Sequence, residues 1–182
     1  WFGWDLAELE RQVASVPAGA GGVSFLPYLN GERTPNLPNG SGVLHGLSTA
    51  SATPAHLARA AMEGATLGLG YGLRRFDALG LTPGEIRLTG GGSKSPVWRQ
   101  ISADVFGVPV VALATAEGAG LGGAIQAAQA DGKGSYADLC ARLVSLDEST
   151  RCQPNSELVA VYREKLDKQI ALTNLLRDSG ML

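Results

Sequence analysis

The chain has 182 residues, 45% of them hydrophobic and 18% charged, with a formal net charge of −2. Such a composition supplies a sizeable core and excludes global disorder. The near-balanced charge excludes a nucleic-acid binder working through bulk positive charge, and no apolar run approaches the roughly 18–20 residues of a membrane-spanning helix. Glycine stands apart, at 25 residues, about twice its usual share, so backbone geometry is being put to use. Cys140 and Cys152 are too few for a disulfide framework and lack metal-ligand spacing. The chain opens Trp1-Phe2-Gly3-Trp4, with neither Met nor a targeting pattern. The expectation is a piece of a longer protein, with a processed N-terminus as the alternative.

In chain order, residues 5–16 read as a short helix with Leu6, Leu9 and Val13 on one face. Residues 23–29 have strand composition, and Pro27 confines that strand to an edge or an end. Residues 30–42, rich in Asn, Pro and Gly, are a loop of the length that is often functional. A short strand is expected at 43–47. Thr53 and Pro54 then announce a helix as N-cap and first helical residue. It runs to about Leu79, with Met62, Ala65, Leu69, Leu73 and Phe76 as its apolar stripe. Gly64, Gly68 and Gly72 lie four apart. Each costs up to about 1 kcal/mol against alanine, so another backbone is expected to pass close to all three.

Residues 85–89 are an expected strand, followed by Gly90-Gly91-Gly92-Ser93-Lys94-Ser95-Pro96. Ser95 and Pro96 start a helix that carries Val97, Ile101 and Val105 inward and stops at Gly107. A strand is expected at 108–113. Thr115 is expected to cap a helix over 116–130, with further helices at 136–144 and 156–177. The last of these turns Val159, Tyr162, Leu166 and Ile170 to one face. Alternating strand and helix from residue 85 onward imply a parallel α/β layer with right-handed crossovers.

Strand, triple glycine and capped helix form the strongest chemical signal. Successive glycines let the main chain approach a ligand without Cβ interference. The helix N-terminus offers free N–H groups and partial positive charge, an anion site suited to phosphate, and Lys94 adds a mobile charge. A tight turn that binds nothing is the alternative. The motif is neither a Walker A loop nor a dinucleotide fingerprint. The second glycine-rich helix start, Glu117 to Gly123, reads first as close helix–sheet packing and second as room for a nucleotide. His45 and His56 lack an acidic partner in the sequence, and His56 reads as a surface or capping residue. Glu63, beside the apolar stripe, reads as a buried anchor for the loop at 30–42. Arg33 either pins its own loop by an ion pair with Glu32 or another carboxylate, or meets an anion, a substrate or an ATP phosphate. Cys140 reads as a buried thiol. No catalytic constellation and no metal cluster is visible.

Gly42-Val43-Leu44-His45-Gly46-Leu47, then, after eight intervening residues, His56-Leu57-Ala58-Arg59-Ala60-Ala61-Met62-Glu63, resembles the second signature of the FGGY carbohydrate kinases. Phe25 to Pro35, Thr89 to Gln100 and Glu117 to Gly122 are similar to stretches of the members that act on xylulose. The resemblance covers about residues 20–130. It implies an ATP-dependent sugar kinase of the actin/Hsp70/hexokinase superfamily, with ATP and sugar between two ribonuclease H-like domains. The expected fold class is α/β: residues 1–182 as part of the C-terminal ribonuclease H-like domain, a mixed sheet with flanking helices. The N-terminal domain and the first strands of this domain, with the catalytic aspartate, would lie outside the chain, so no catalytic residue and no metal ligand is named here.

By position, the family's nucleotide contacts carry over to Gly90, Gly91 and Gly92, with Ser93, Lys94 and Ser95 beside them. Pro96 stands near where glycerol kinases place an Asn. The resemblance also implies ATP and Mg²⁺ as cofactors and D-xylulose as the sugar. Glycerol, ribulose or gluconate is the alternative sugar, and a non-catalytic ATP-binding module of the superfamily is the alternative function. Implied partners are the sugar, ATP, the kinase's own N-terminal domain and a second copy in a homodimer, with no nucleic acid and no membrane. The implied location is the cytoplasm.

Overall fold

The computed structural model describes residues 2–115 and 117–182. The chain divides into two compact units. The first comprises residues 1–82, 104–107 and 154–182, and the second residues 83–103 and 108–153.

The first unit opens with helix α1 (Leu6–Ala14), whose N-cap Asp5 accepts a 2.8 Å hydrogen bond from the Glu8 amide. Of the expected face, Val13 is fully buried, but Leu6 is exposed. A 3₁₀ turn (Ala20–Gly22) leads into β1 (Ser24–Pro27), which pairs antiparallel with β2 (Gly42–His45). Pro27, which cannot donate to a ladder, is the last paired residue of its strand. Helix α2 (Pro54–Ala78) starts as the sequence predicts, with the Thr53 side chain accepting from the His56 amide. The His56 Nδ1 lies 2.8 Å from the Thr53 hydroxyl, so this histidine belongs to the cap. Helix α6 (Ser156–Asp178) packs on α2 and β1. Leu67, Tyr162 and Leu166 form one buried cluster, and Leu26, Tyr28 and Leu37 another. Each such side chain contributes about 1.5–3 kcal/mol by burial.

Part of the expected apolar stripe of α2 is corrected. Met62 is buried and Ala65 and Leu73 are half-buried, but Leu69 and Phe76 are exposed, and the buried face also carries Arg59, Glu63, Gly64, Thr66, Leu67 and Gly70. The helix turns a polar, small-residue face inward because its buried charges are paired there. Of the three glycines in register, Gly64 alone meets another backbone: a Cβ there would overlap the Phe25 carbonyl oxygen, whereas Gly68 and Gly72 face open space.

The second unit holds a three-stranded sheet in the order β3 (Ile86–Leu88), β4 (Val110–Leu113), β5 (Leu146–Cys152). The β3–β4 pair is parallel, as strand–helix–strand order requires, and β5 joins β4 antiparallel. The sheet is therefore mixed rather than wholly parallel from residue 85 onward. Helix α3 (Pro96–Phe106) connects β3 to β4. Ile101 is buried, and Val97 is half-buried. Helix α4 (Gly118–Ala130) begins later than expected. Glu117 occupies the cap position without a side-chain cap bond, and the Thr115 hydroxyl accepts from the Glu117 amide instead; Ala116 lies outside the described residues. Helix α5 (Tyr136–Leu143) is closed by a capping box between Ser135 and Asp138. Its buried residue is Leu139, which leaves Cys140, about 100° around the helix, exposed rather than buried.

Candidate functional site

The triple glycine sits directly after β3. Gly90 has φ +83° and ψ −170°, a conformation open essentially to glycine. Gly91 to Lys94 then make one 3₁₀ turn. The Ser93 hydroxyl donates to the Gly90 carbonyl at 2.7 Å, and the Ser95 amide donates to the Gly92 carbonyl at 3.2 Å. The Ser95 hydroxyl accepts from the Trp98 amide at 3.0 Å, which is the cap predicted from the sequence. A Cβ on Gly92 would lie 3.4 Å from the Trp98 ring. One locking residue has no counterpart in the sequence reading: Arg99 Nη1 donates to the Ser93 carbonyl at 2.8 Å. Its place four residues after the cap, on the same helix face, was the available signal.

These bonds hold the turn without using all of its donors. Within the described residues the Gly91 and Gly92 amides have no acceptor. A Cβ on Gly91 would meet nothing within 4 Å. Lys94 is exposed. The structure thus brings Gly90 to Ser95 together as one preformed turn with two open N–H groups at the start of α3. Such a turn can receive an oxyanion through main-chain donors. Beside it, Gly118 has a packing role: a Cβ there would come 2.7 Å from the Thr89 hydroxyl, whereas Gly122 and Gly123 face open space.

In the first unit, Glu63 is fully buried and is the hub of a charged cluster. Its Oε1 accepts from the Arg59 Nε at 2.8 Å, the Tyr162 hydroxyl at 2.9 Å and the Gly19 amide at 3.0 Å. Its Oε2 makes an ion pair with Lys165 Nζ at 3.1 Å and no hydrogen bond. Lys165 Nζ also donates to the carbonyls of Gly19 and Val23, at 2.8 and 2.6 Å. Burial pushes the Lys165 ammonium below the ordinary lysine range, against the opposing pull of the Glu63 charge. Burial also raises the Tyr162 phenol well above its ordinary value. Glu63 is a buried anchor as expected, but the loop it anchors is the one at Gly19, not the one at 30–42. Arg33 makes no ion pair with Glu32, whose Oε1 instead accepts from the Arg33 and Thr34 amides at 2.7 and 3.3 Å. Lys165 was not singled out in the sequence, since one Lys on a charged amphipathic helix carries no mark of burial.

Residues 5–130 match the family model described as the FGGY family of carbohydrate kinases, C-terminal domain. The chain belongs to this family. A xylulose kinase of Haemophilus influenzae is 43% identical over 166 residues, 91% of this chain and 34% of that protein. A gluconokinase of Bacillus licheniformis is 34% identical over 172 residues, covering 93% of this chain and 33% of the relative. The crystal structure of xylulose kinase from Rhodospirillum rubrum superposes with a TM-score of 0.79 at 34% identity, covering 94% of this chain and 34% of that one. The FGGY chain thus spans about a third of the length of these relatives. Its α/β fold, a mixed sheet with flanking helices, is that of the actin/hexokinase-like sugar kinases.

Proposed function

We propose that this FGGY chain is the nucleotide-binding part of an ATP-dependent sugar kinase whose acceptor is D-xylulose. The observation that carries the reading is the Gly90–Ser95 turn, which keeps the Gly91 and Gly92 amides open at a helix start. These amides donate to the nucleotide, the absence of Cβ atoms lets it come close, and Lys94 adds a mobile positive charge. The similarity to the Haemophilus influenzae xylulose kinase supports the choice of sugar. The gluconokinase similarity, over nearly the same share of the chain, keeps gluconate as the competing acceptor.

Phosphoryl transfer needs an aspartate to position the attacking hydroxyl and Mg²⁺ on the phosphates. Among the described residues there is no group of three or more His, Cys, Asp or Glu side chains able to hold a metal ion. In this reading the aspartate lies on the first strands of this same domain, outside residues 1–182, and the protein works in the cytoplasm as a homodimer. No helix among the described residues is long and apolar enough to cross a membrane.

The test is ADP release by the full-length protein with ATP, Mg²⁺ and either D-xylulose or D-gluconate. Release driven by xylulose supports the reading. Release driven by gluconate alone corrects the sugar. Failure of every sugar together with failure to bind ATP overturns the reading.

A further inference from the structure

The β1–β2 loop, marked in the sequence by Arg33, takes no part in the reading above. It is a rigid platform rather than a slack connection. Glu32 and Leu37 exchange two backbone hydrogen bonds, each 2.8 Å, and the Gly31 amide donates to the Gly40 carbonyl at 3.1 Å. Gly31 has φ +78°, and a Cβ there would lie 2.5 Å from the Pro38 carbonyl oxygen. Leu37 is buried with Leu26 and Tyr28, which anchors the far side of the loop.

Unspent polar groups gather on this platform. An open concavity of about 440 Å³ is lined by Asn30, Gly31, Glu32, Arg33, Asn36 and Pro38, within the usual size range of small-ligand sites. Glu32 turns Oε1 back to the Arg33 and Thr34 amides, so it does not neutralise its neighbour. Among the described residues, the Arg33 guanidinium, the Asn30 and Asn36 amides and Glu32 Oε2 have no partner. A lone surface arginine would be unremarkable. Here the donors stand around one concavity on a fixed backbone, with a carboxylate oxygen beside them.

We propose that this loop is a second small-molecule site, taking a phosphorylated polyol. The Arg33 guanidinium matches a phosphate monoester bidentately, and the Asn30 and Asn36 amides add neutral donors. Glu32 Oε2, repelled by a bare anion, accepts from a hydroxyl of the polyol. The combination therefore favours a sugar phosphate over inorganic phosphate. The site is built from residues other than the triple-glycine turn, and the proposal stands whether or not that turn binds ATP.

The test is calorimetric titration of the full-length protein with D-ribose 5-phosphate and, separately, inorganic phosphate, each with ADP at saturating concentration. The expected result is binding of the ester in the presence of ADP, weakened at least tenfold in Arg33→Gln and clearly in Asn36→Ala, with inorganic phosphate at least fivefold weaker. Arg33 and Asn36 are exposed, so both variants keep the fold, and unchanged thermal unfolding checks this. No binding of the ester, equal binding by wild type and Arg33→Gln, or displacement of the ester by ADP would overturn the proposal. Equal affinity for inorganic phosphate would overturn its polyol part.

Discussion

Replacing Glu63 with glutamine tests what the buried charges of the first unit do. The carboxylate is fully buried and faces two cations, Arg59 and Lys165, that are themselves about nine-tenths buried. In Glu63→Gln the amide oxygen can still accept from Arg59, Tyr162 and Gly19, but its NH₂ group then faces Lys165 Nζ, donor against donor. Lys165 retains the Gly19 and Val23 carbonyls, which are neutral. Removing one partner of a buried pair costs about 3–5 kcal/mol, and the surviving acceptor places this variant near the lower end. For a chain of this size, about 3 kcal/mol corresponds to a fall in Tm of roughly 6–12 °C. Differential scanning calorimetry of the full-length protein measures it. The double variant Glu63→Gln/Lys165→Met should lose less than the two single variants together, with a coupling of about 1 kcal/mol or more. Because Glu63 holds the Gly19 loop and touches no open site, kcat should stay within about tenfold. An unchanged Tm with kcat lower by orders of magnitude would refute a structural role.

The glycines of α4 should separate by position. Gly118→Val, whose Cβ would crowd Thr89, should destabilise by about 1–3 kcal/mol. Gly122→Ala, facing open space, should stabilise by up to about 1 kcal/mol. Urea denaturation distinguishes the two, and equal effects would contradict the assigned packing. Hydrogen bonds from Arg151 hold Glu85 and Glu148 below the ordinary glutamate range, with Arg87 assisting at Glu85. Their folded-state pKa values are depressed, so their stabilisation is present above the unfolded value of about 4.3 and is lost as pH falls below it. Arg151→Met should make the acid-side loss of stability shallower, as followed by circular dichroism between pH 5 and 2, and an unchanged slope would remove the pair from the account.

How much was legible in the sequence follows from which signals are local. Thr53 and Ser95 announce helix starts because a cap is a bond to a residue three positions on, and both caps are present. By contrast, β5, spelled Leu146-Asp-Glu-Ser-Thr-Arg-Cys152, has no period-2 apolar pattern. It is a strand because β4 offers it a partner edge, which no local pattern records. The buried face of α2 was only partly legible for a related reason: Glu63 reads as buried from its place beside the apolar stripe, but its cluster is closed by Arg59 and by Lys165, about a hundred positions away, which no local pattern records. Leu69 and Phe76 looked like core for the same lack of long-range information.

The nucleotide role of the triple-glycine turn is tested most directly by Gly91→Val in the full-length protein. Gly91 is not a positive-φ position, and an added Cβ meets nothing within 4 Å. The variant should therefore fold with little change in Tm, while its side chain stands where the nucleotide must approach the open amides. Losing one or two charge-assisted hydrogen bonds costs on the order of 2–4 kcal/mol, which is roughly 30-fold to 1,000-fold in affinity. Steady-state kinetics with ATP and D-xylulose varied in turn should show KM for ATP raised by at least 30-fold and KM for the sugar changed by less than threefold. A folded Gly91→Val protein that retains wild-type affinity for ATP would contradict the assignment of this turn as the nucleotide site.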